Sequence, residues 1–146
     1  MTNVKWPARM QRLRTGPLAD LAAGAELWLD GGHNASAGEA LGRHLASLPQ
    51  RPTYLICGML NTKDVRGYLR PMAAHVARLS AVSIPDEVNT LSASETAQAA
   101  RDVGMVADEQ PDVTTALTAI MAENPDARIL ICGSLYLAGQ ILRENG

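Results

Sequence analysis

The chain contains no phenylalanine, and its 146 residues carry only two tryptophans and three tyrosines. Thirteen Lys and Arg stand against fifteen Asp and Glu, a formal net charge of -2. With neither a basic field to neutralise phosphates nor rings for bases to stack on, nucleic acid is excluded as an expected partner. Cysteine is as scarce. Cys57 and Cys132 lie far apart, each inside an apolar segment, so there is no disulfide framework and no CxxC pair, and a reducing cytoplasm is the expected compartment. No apolar run reaches the roughly 18 residues that a membrane helix needs, and Met1-Thr2-Asn3-Val4-Lys5 starts no signal-peptide core, so a membrane location is not expected. The chain also lacks Gly-x4-Gly-Lys-Ser/Thr and Gly-x-Gly-x-x-Gly, so nothing in it cradles a triphosphate by itself.

What is present is a soluble-globule composition, 47% hydrophobic and 19% charged, at a length that suits one domain with a real core. Short apolar runs at residues 27–29, 54–57 and 129–132 read as buried parallel strands. Each closes in a glycine turn, and two share a tetrapeptide, Leu55-Ile56-Cys57-Gly58 and Leu130-Ile131-Cys132-Gly133. Residues 81–84 and 105–107 complete the expected strands. Between them, Ala37, Ala40, Leu41, Leu45 and Leu48 share one helical face, as do Val113, Ala116, Leu117, Ile120 and Met121, and Ala138, Ile141 and Leu142. Further helices are expected from Pro71 and over 94–103, the latter ending at Gly104. The basic stretch 6–13, broken at Gly16-Pro17, reads as an edge strand or an arm. The alternation predicts an α/β fold, a three-layer Rossmann-like, doubly wound and mostly parallel sheet with helices on both faces.

The strand-to-helix junction Leu27-Trp28-Leu29-Asp30-Gly31-Gly32-His33-Asn34 is the most informative segment. At the carboxyl end of a strand, helix-terminal N–H groups can receive an anion. Asn34 is placed to cap the helix, leaving the N–H groups of residues 31–33 for a ligand; a plain capped helix is the alternative. Asp30 could accept ribose hydroxyls or bind a cation, and His33 could donate to a carboxylate or phosphate. Lys63, in the loop after the second run, could hold an anion as a point charge or simply be solvated. Ser134 could cap a helix or meet a bound carboxylate. A serine hydrolase is argued against by Gly133-Ser134-Leu135, which lacks the second glycine of a nucleophile elbow. Zinc is argued against because His33, His44, His75, Cys57 and Cys132 offer no pair at ligand spacing. Asp30, His33, Lys63 and Ser134 look like half a site.

Taken in order, Trp6-Pro7-Ala8-Arg9, Asp30-Gly31-Gly32-His33-Asn34, Gly58-Met59-Leu60 with Lys63-Asp64, and Cys132-Gly133-Ser134-Leu135-Tyr136 resemble the C-terminal domain of bacterial folylpolyglutamate synthase/dihydrofolate synthase, within the Mur ligase family. The resemblance implies that residues 1–146 are a single domain excised from a longer ligase whose N-terminal ATPase domain, with the phosphate loop, is absent. It implies ATP and Mg²⁺, the metal held mainly on that absent domain, and L-glutamate joined to dihydropteroate or a folate through an acyl phosphate. Carried over by position, Arg9 would reach the phosphates and act catalytically, and Asp30 would hold the ribose. His33, Asn34, Lys63 and Ser134 would surround the incoming glutamate, His33 also acting in catalysis. The family pattern Asp-Gly-Ala-His-Asn-Pro has Gly32 for its alanine and Ala35 for its proline here, and Ala8 replaces a glycine beside Arg9; Ala35 is expected to serve as the first helical residue. Another Mur-type amide ligase, such as a peptidoglycan-precursor or cyanophycin-type enzyme, or a stand-alone Rossmann-like binding module, are the alternatives.

Overall fold

A computed structural model describes residues 10–61 and 64–145. Its strands are β1 (Gln11–Arg12), β2 (Glu26–Leu29), β3 (Thr53–Cys57), β4 (Arg78–Ala81), β5 (Ala107–Glu109) and β6 (Arg128–Cys132). They form one sheet in the order β1-β2-β6-β3-β4-β5, in which only β1 runs antiparallel. The helices are α1 (Pro17–Leu21), α2 (Ala35–Ser47), α3 (Val65–Leu69), α4 (Ala93–Asp102), α5 (Val113–Glu123) and α6 (Leu135–Asn145), with a 3-10 helix over Arg70–His75.

From β2 the chain passes over β6 to β3, then to β4 and β5, and α2, α3 and α4 pack on one face on the way. It then returns through α5 on the other face to lay β6 between β2 and β3. Because β-α-β crossovers keep one hand, reversing the direction of travel moves the helices to the opposite face. β3 and β6 are consequently buried along their whole length, which is why their sequences are apolar after Thr53 and Arg128 at their amino ends. β2 instead alternates half-buried and buried residues, with only two-residue β1 beyond it. Among the described residues no helix is long and apolar enough to cross a membrane.

The predicted architecture is present, with shifts at the edges. β4 and β5 lie at Arg78–Ala81 and Ala107–Glu109, rather than at 81–84 and 105–107. Val82 and Ile84 are apolar because they belong to the core beyond the end of β4. The helix expected from Pro71 starts earlier: Asp64 caps it by accepting from the Gly67 amide at 3.0 Å, and Pro71 falls in the 3-10 segment that follows. The edge strand expected near the N-terminus is β1. α1, with proline at its start, follows the break at Gly16.

Candidate functional site

The topology brings the carboxyl ends of β2, β6 and β3 side by side, at the point where the strand order reverses. The chain leaving β2 is stitched to β6 by the Asp30 amide, which donates to the Ile131 carbonyl at 2.9 Å. On the other side the Gly58 amide donates to the Cys132 carbonyl at 3.2 Å. Gly133 lies between them at φ +112°, and a Cβ there would stand 2.6 Å from the Gly58 carbonyl oxygen. Only glycine suits both the left-handed backbone and that approach. Two longer helices, α2 and α6, begin directly after these turns.

The side chains named from the sequence divide into three groups. Asp30, 5% exposed, holds the rim: its Oδ1 accepts from the Gly32 amide at 2.7 Å and its Oδ2 from the Met10 amide at 2.9 Å. The Gly32 N–H is therefore not left for a ligand, which corrects the expectation that all three amides of the turn are. Asn34 is exposed and caps α2, accepting from the Ala37 amide at 2.8 Å. α2 begins at Ala35, in the place where the family pattern has proline. Ser134 is buried, and its Oγ accepts from the Tyr136 amide at 3.0 Å at the start of α6. Half-buried His33 is different, since its Nδ1 is enclosed and has no hydrogen-bond partner among the described residues. That buried ring nitrogen has its hydrogen-bonding capacity unmet among the described residues. Arg9 and Lys63 lie outside the described residues.

Beneath the rim, Cys57 and Cys132 are not apart at all but face each other in register on β3 and β6. Hydrogen bonding to Cys132 and complete burial push the Cys57 thiol well above its ordinary range. Burial, with Cys132, Cys57 and Asp30 nearby, pushes the Tyr68 hydroxyl up as well. Cys57 and Tyr68 therefore stay neutral and serve as floor rather than as nucleophile or base. Tyr68, from α3, is a component the sequence reading missed; the signal available was Asp64 three residues before Gly67, a cap ahead of an apolar pair. A groove of about 600 Å³ opens near the amino ends of the strands, but the arginines in it are already taken up. Arg128 donates to Glu26 and the Pro49 carbonyl, and Arg51 to Glu26 and the Asp126 and Gly24 carbonyls. The carboxyl rim is the candidate site.

Residues 19–144 match the family model described as dihydrofolate synthetase, C-terminal domain. A folylpolyglutamate synthase from Lacticaseibacillus casei is 29% identical over 136 residues, covering 93% of this chain and 29% of that protein. Among solved structures, E. coli FolC in complex with DHPP and ADP superposes with a TM-score of 0.78 at 21% identity, over 97% of this chain and 31% of that one. Mycobacterium tuberculosis folylpolyglutamate synthase complexed with ADP gives 0.76 at 20% identity, over 96% and 32%. A bifunctional folylpolyglutamate synthase/dihydrofolate synthase with Mn, AMPPNP and L-glutamate bound gives 0.72 at 22% identity, over 97% and 32%. The likeness to these structures establishes the fold, and the chain spans under a third of the length of each relative.

Proposed function

The chain belongs to the family of dihydrofolate synthetase C-terminal domains, and from that premise we propose that it is the glutamate-binding, ATP-closing domain of an ATP-dependent ligase acting on dihydropteroate or folates. On this reading residues 1–146 work as one domain beside a larger ATPase domain that carries the phosphate loop. The observation that supports it most is the half-built rim: three strand ends and two helix starts converge, with a buried carboxylate and an unsatisfied imidazole, yet without any cradle for a triphosphate. Relatives in this family are seen with ADP, with AMPPNP and Mn, and with L-glutamate.

ATP would supply the phosphoryl group that converts a substrate carboxylate into an acyl phosphate, and an amine attacking its acyl carbon would then displace phosphate. The chain's own residues position and shield. Asp30 faces the ribose, and Arg9 reaches the phosphates and stabilises charge developing there. His33 holds a carboxylate or phosphate by hydrogen bonding from its ring. Asn34, Lys63 and Ser134 surround the amino acid, Lys63 as a point charge and Ser134 through the hydroxyl that also caps α6. Bringing these groups against a second domain orders the amine for attack and expels water. On this reading Mg²⁺ is held mainly by the ATPase domain.

The isolated chain should show no ATP turnover with dihydropteroate and glutamate, and weak or no ATP binding by calorimetry. Joined to its ATPase domain it should ligate, and Lys63→Ala should raise the KM for glutamate by about tenfold or more with the fold unchanged by circular dichroism. Ligation by the 146-residue chain alone, or wild-type kinetics for Lys63→Ala at sub-saturating glutamate, would defeat the reading.

A further inference from the structure

Beneath the rim three sulfur atoms converge. Cys57 and Cys132 are Cα partners on the neighbouring parallel strands β3 and β6, both thiols are free, and both side chains belong to the same core cluster. The Cys57 thiol is hydrogen-bonded with Cys132, so the two sulfurs are within reach of one ligand. Met59, just beyond the end of β3, turns back towards them. The point that a Cβ on Gly133 would occupy is 2.9 Å from Cys57 Sγ and 2.8 Å from Met59 Sδ, so glycine at 133 leaves the space that these sulfurs share. Each of the three residues is at most 1% exposed.

The donor set selects the ligand. Two thiols and a thioether are soft, polarisable donors, which favour Cu(I) over hard cations. Among the described residues no carboxylate or imidazole joins the two cysteines to make a three-ligand group, so the oxygen and nitrogen donors that a harder ion needs are missing. We propose that Cys57, Cys132 and Met59 form a buried binding site for a soft monovalent metal ion of the Cu(I) class, directly beneath the Gly133 turn. Burial fixes the charge balance, because a site closed to water disfavours added net charge. One proton therefore leaves as one ion enters: the S–H bond of Cys57 breaks, its electron pair forms the sulfur–metal bond, and the proton passes to solvent, with no change of oxidation state. Cys132 stays a thiol and Met59 a neutral thioether, each offering a lone pair. Ions reach the cluster through local opening of the rim, so loading is slower than binding at the surface. The site uses none of the residues assigned to ATP or glutamate and stands apart from the ligase reading.

The test loads the chain with Cu(I), supplied as its acetonitrile complex without oxygen, and follows the ultraviolet charge-transfer band of a copper thiolate. The wild-type chain should take up one ion and keep its circular dichroism, and X-ray absorption of the loaded chain should show a first shell of sulfur alone. Absence of uptake, nitrogen or oxygen in that shell, or loss of the fold on loading would each overturn the proposal. Cys57→Ala should abolish the band. Met59→Leu, which conserves volume, should leave the fold intact and weaken uptake about tenfold or more. Uptake by folded Cys57→Ala equal to that of the wild type would place the ion elsewhere and sink the proposal. Should Cys57→Ala fail to fold, Met59→Leu and the wild-type sulfur shell decide, and wild-type affinity in Met59→Leu would remove the thioether from the site and overturn the three-sulfur assignment. Ligation kinetics do not enter any of these measurements, so a negative result leaves the proposed ligase role untouched.

Discussion

Gly133 and Gly104 separate two costs that are usually mixed. Both have positive φ, +112° and +93°, but a Cβ at Gly104 meets nothing within 4 Å, whereas one at Gly133 would stand 2.6 Å from the Gly58 carbonyl oxygen and 2.9 Å from Cys57 Sγ. Gly104→Ala should cost only the left-handed strain, about 1 kcal/mol. Gly133→Ala carries the same strain plus a backbone collision at the rim, and should cost about 3 kcal/mol or more. Urea unfolding of the two variants checks the difference, and equal losses would mean that the rim relaxes freely. At this scale the sequence spoke where one residue type has one use beside its neighbours. Asn34 before a helical pattern is a cap, and Asp30 closing an apolar strand needs partners. It was silent where partners come from distant segments, as with the Met10 amide on Asp30 and the facing Cys57 and Cys132.

α2 was readable from its period alone, yet its two buried glycines are what let it sit where it does. A Cβ on Gly38 would lie 2.1 Å from the Tyr68 carbonyl oxygen, and one on Gly42 2.5 Å from that of Pro71, so the helix packs backbone against the α3 and 3-10 segment. Alanine improves intrinsic helix propensity by about 1 kcal/mol over glycine, so a free helix would be stabilised by the exchange. In this fold Gly38→Ala should instead destabilise by about 2 kcal/mol, because the carbonyl it meets belongs to a backbone already fixed by its own turn. Thermal unfolding of Gly38→Ala against exposed Ala40→Gly tests the sign, since propensity alone predicts a gain for the first. The elements that escaped the sequence were those whose pattern is set by tertiary contact. α1 and α3 are five residues each, too short for a helical period to show, and Val82 and Ile84 extended the apparent β4 beyond its true end because the core needs them.

For the whole molecule, site and staple occupy opposite ends of the sheet. At the amino end Glu26 accepts from Trp28 Nε1 at 3.1 Å, Arg128 Nε at 3.1 Å and Arg51 Nη1 at 3.0 Å, joining β2, β6 and the segment before β3 through one carboxylate. Burial works to raise its pKa, but hydrogen bonds from Trp28 and Arg128, and the charges of Arg128 and Arg51, outweigh that and hold it below the ordinary value. The Arg78 hydrogen bond does the same for Glu123, and that of Arg66 for Asp102, both at the surface where the effect on stability is small. A carboxyl held low in the folded chain takes up its proton at lower pH than in the unfolded chain. Its stabilisation is therefore complete above the unfolded value, about 4.3 for Glu, and is lost as pH falls through the folded value. Stability should be flat near neutrality and fall steeply in acid. Glu26→Gln should lower it at pH 7 by about 2 kcal/mol, since Arg128 is then left buried beside a neutral group. The variant should also lose less than the wild type between pH 5 and pH 3, about the range in which a glutamate titrates, because part of the acid-labile term is already gone. Urea titrations at the three pH values measure both effects. Parallel wild-type and Glu26→Gln curves would show that the Glu26 charge does not hold the amino end together. A loss at pH 7 accompanied by unchanged Met10 amide exchange would show that the staple can weaken without disturbing the rim.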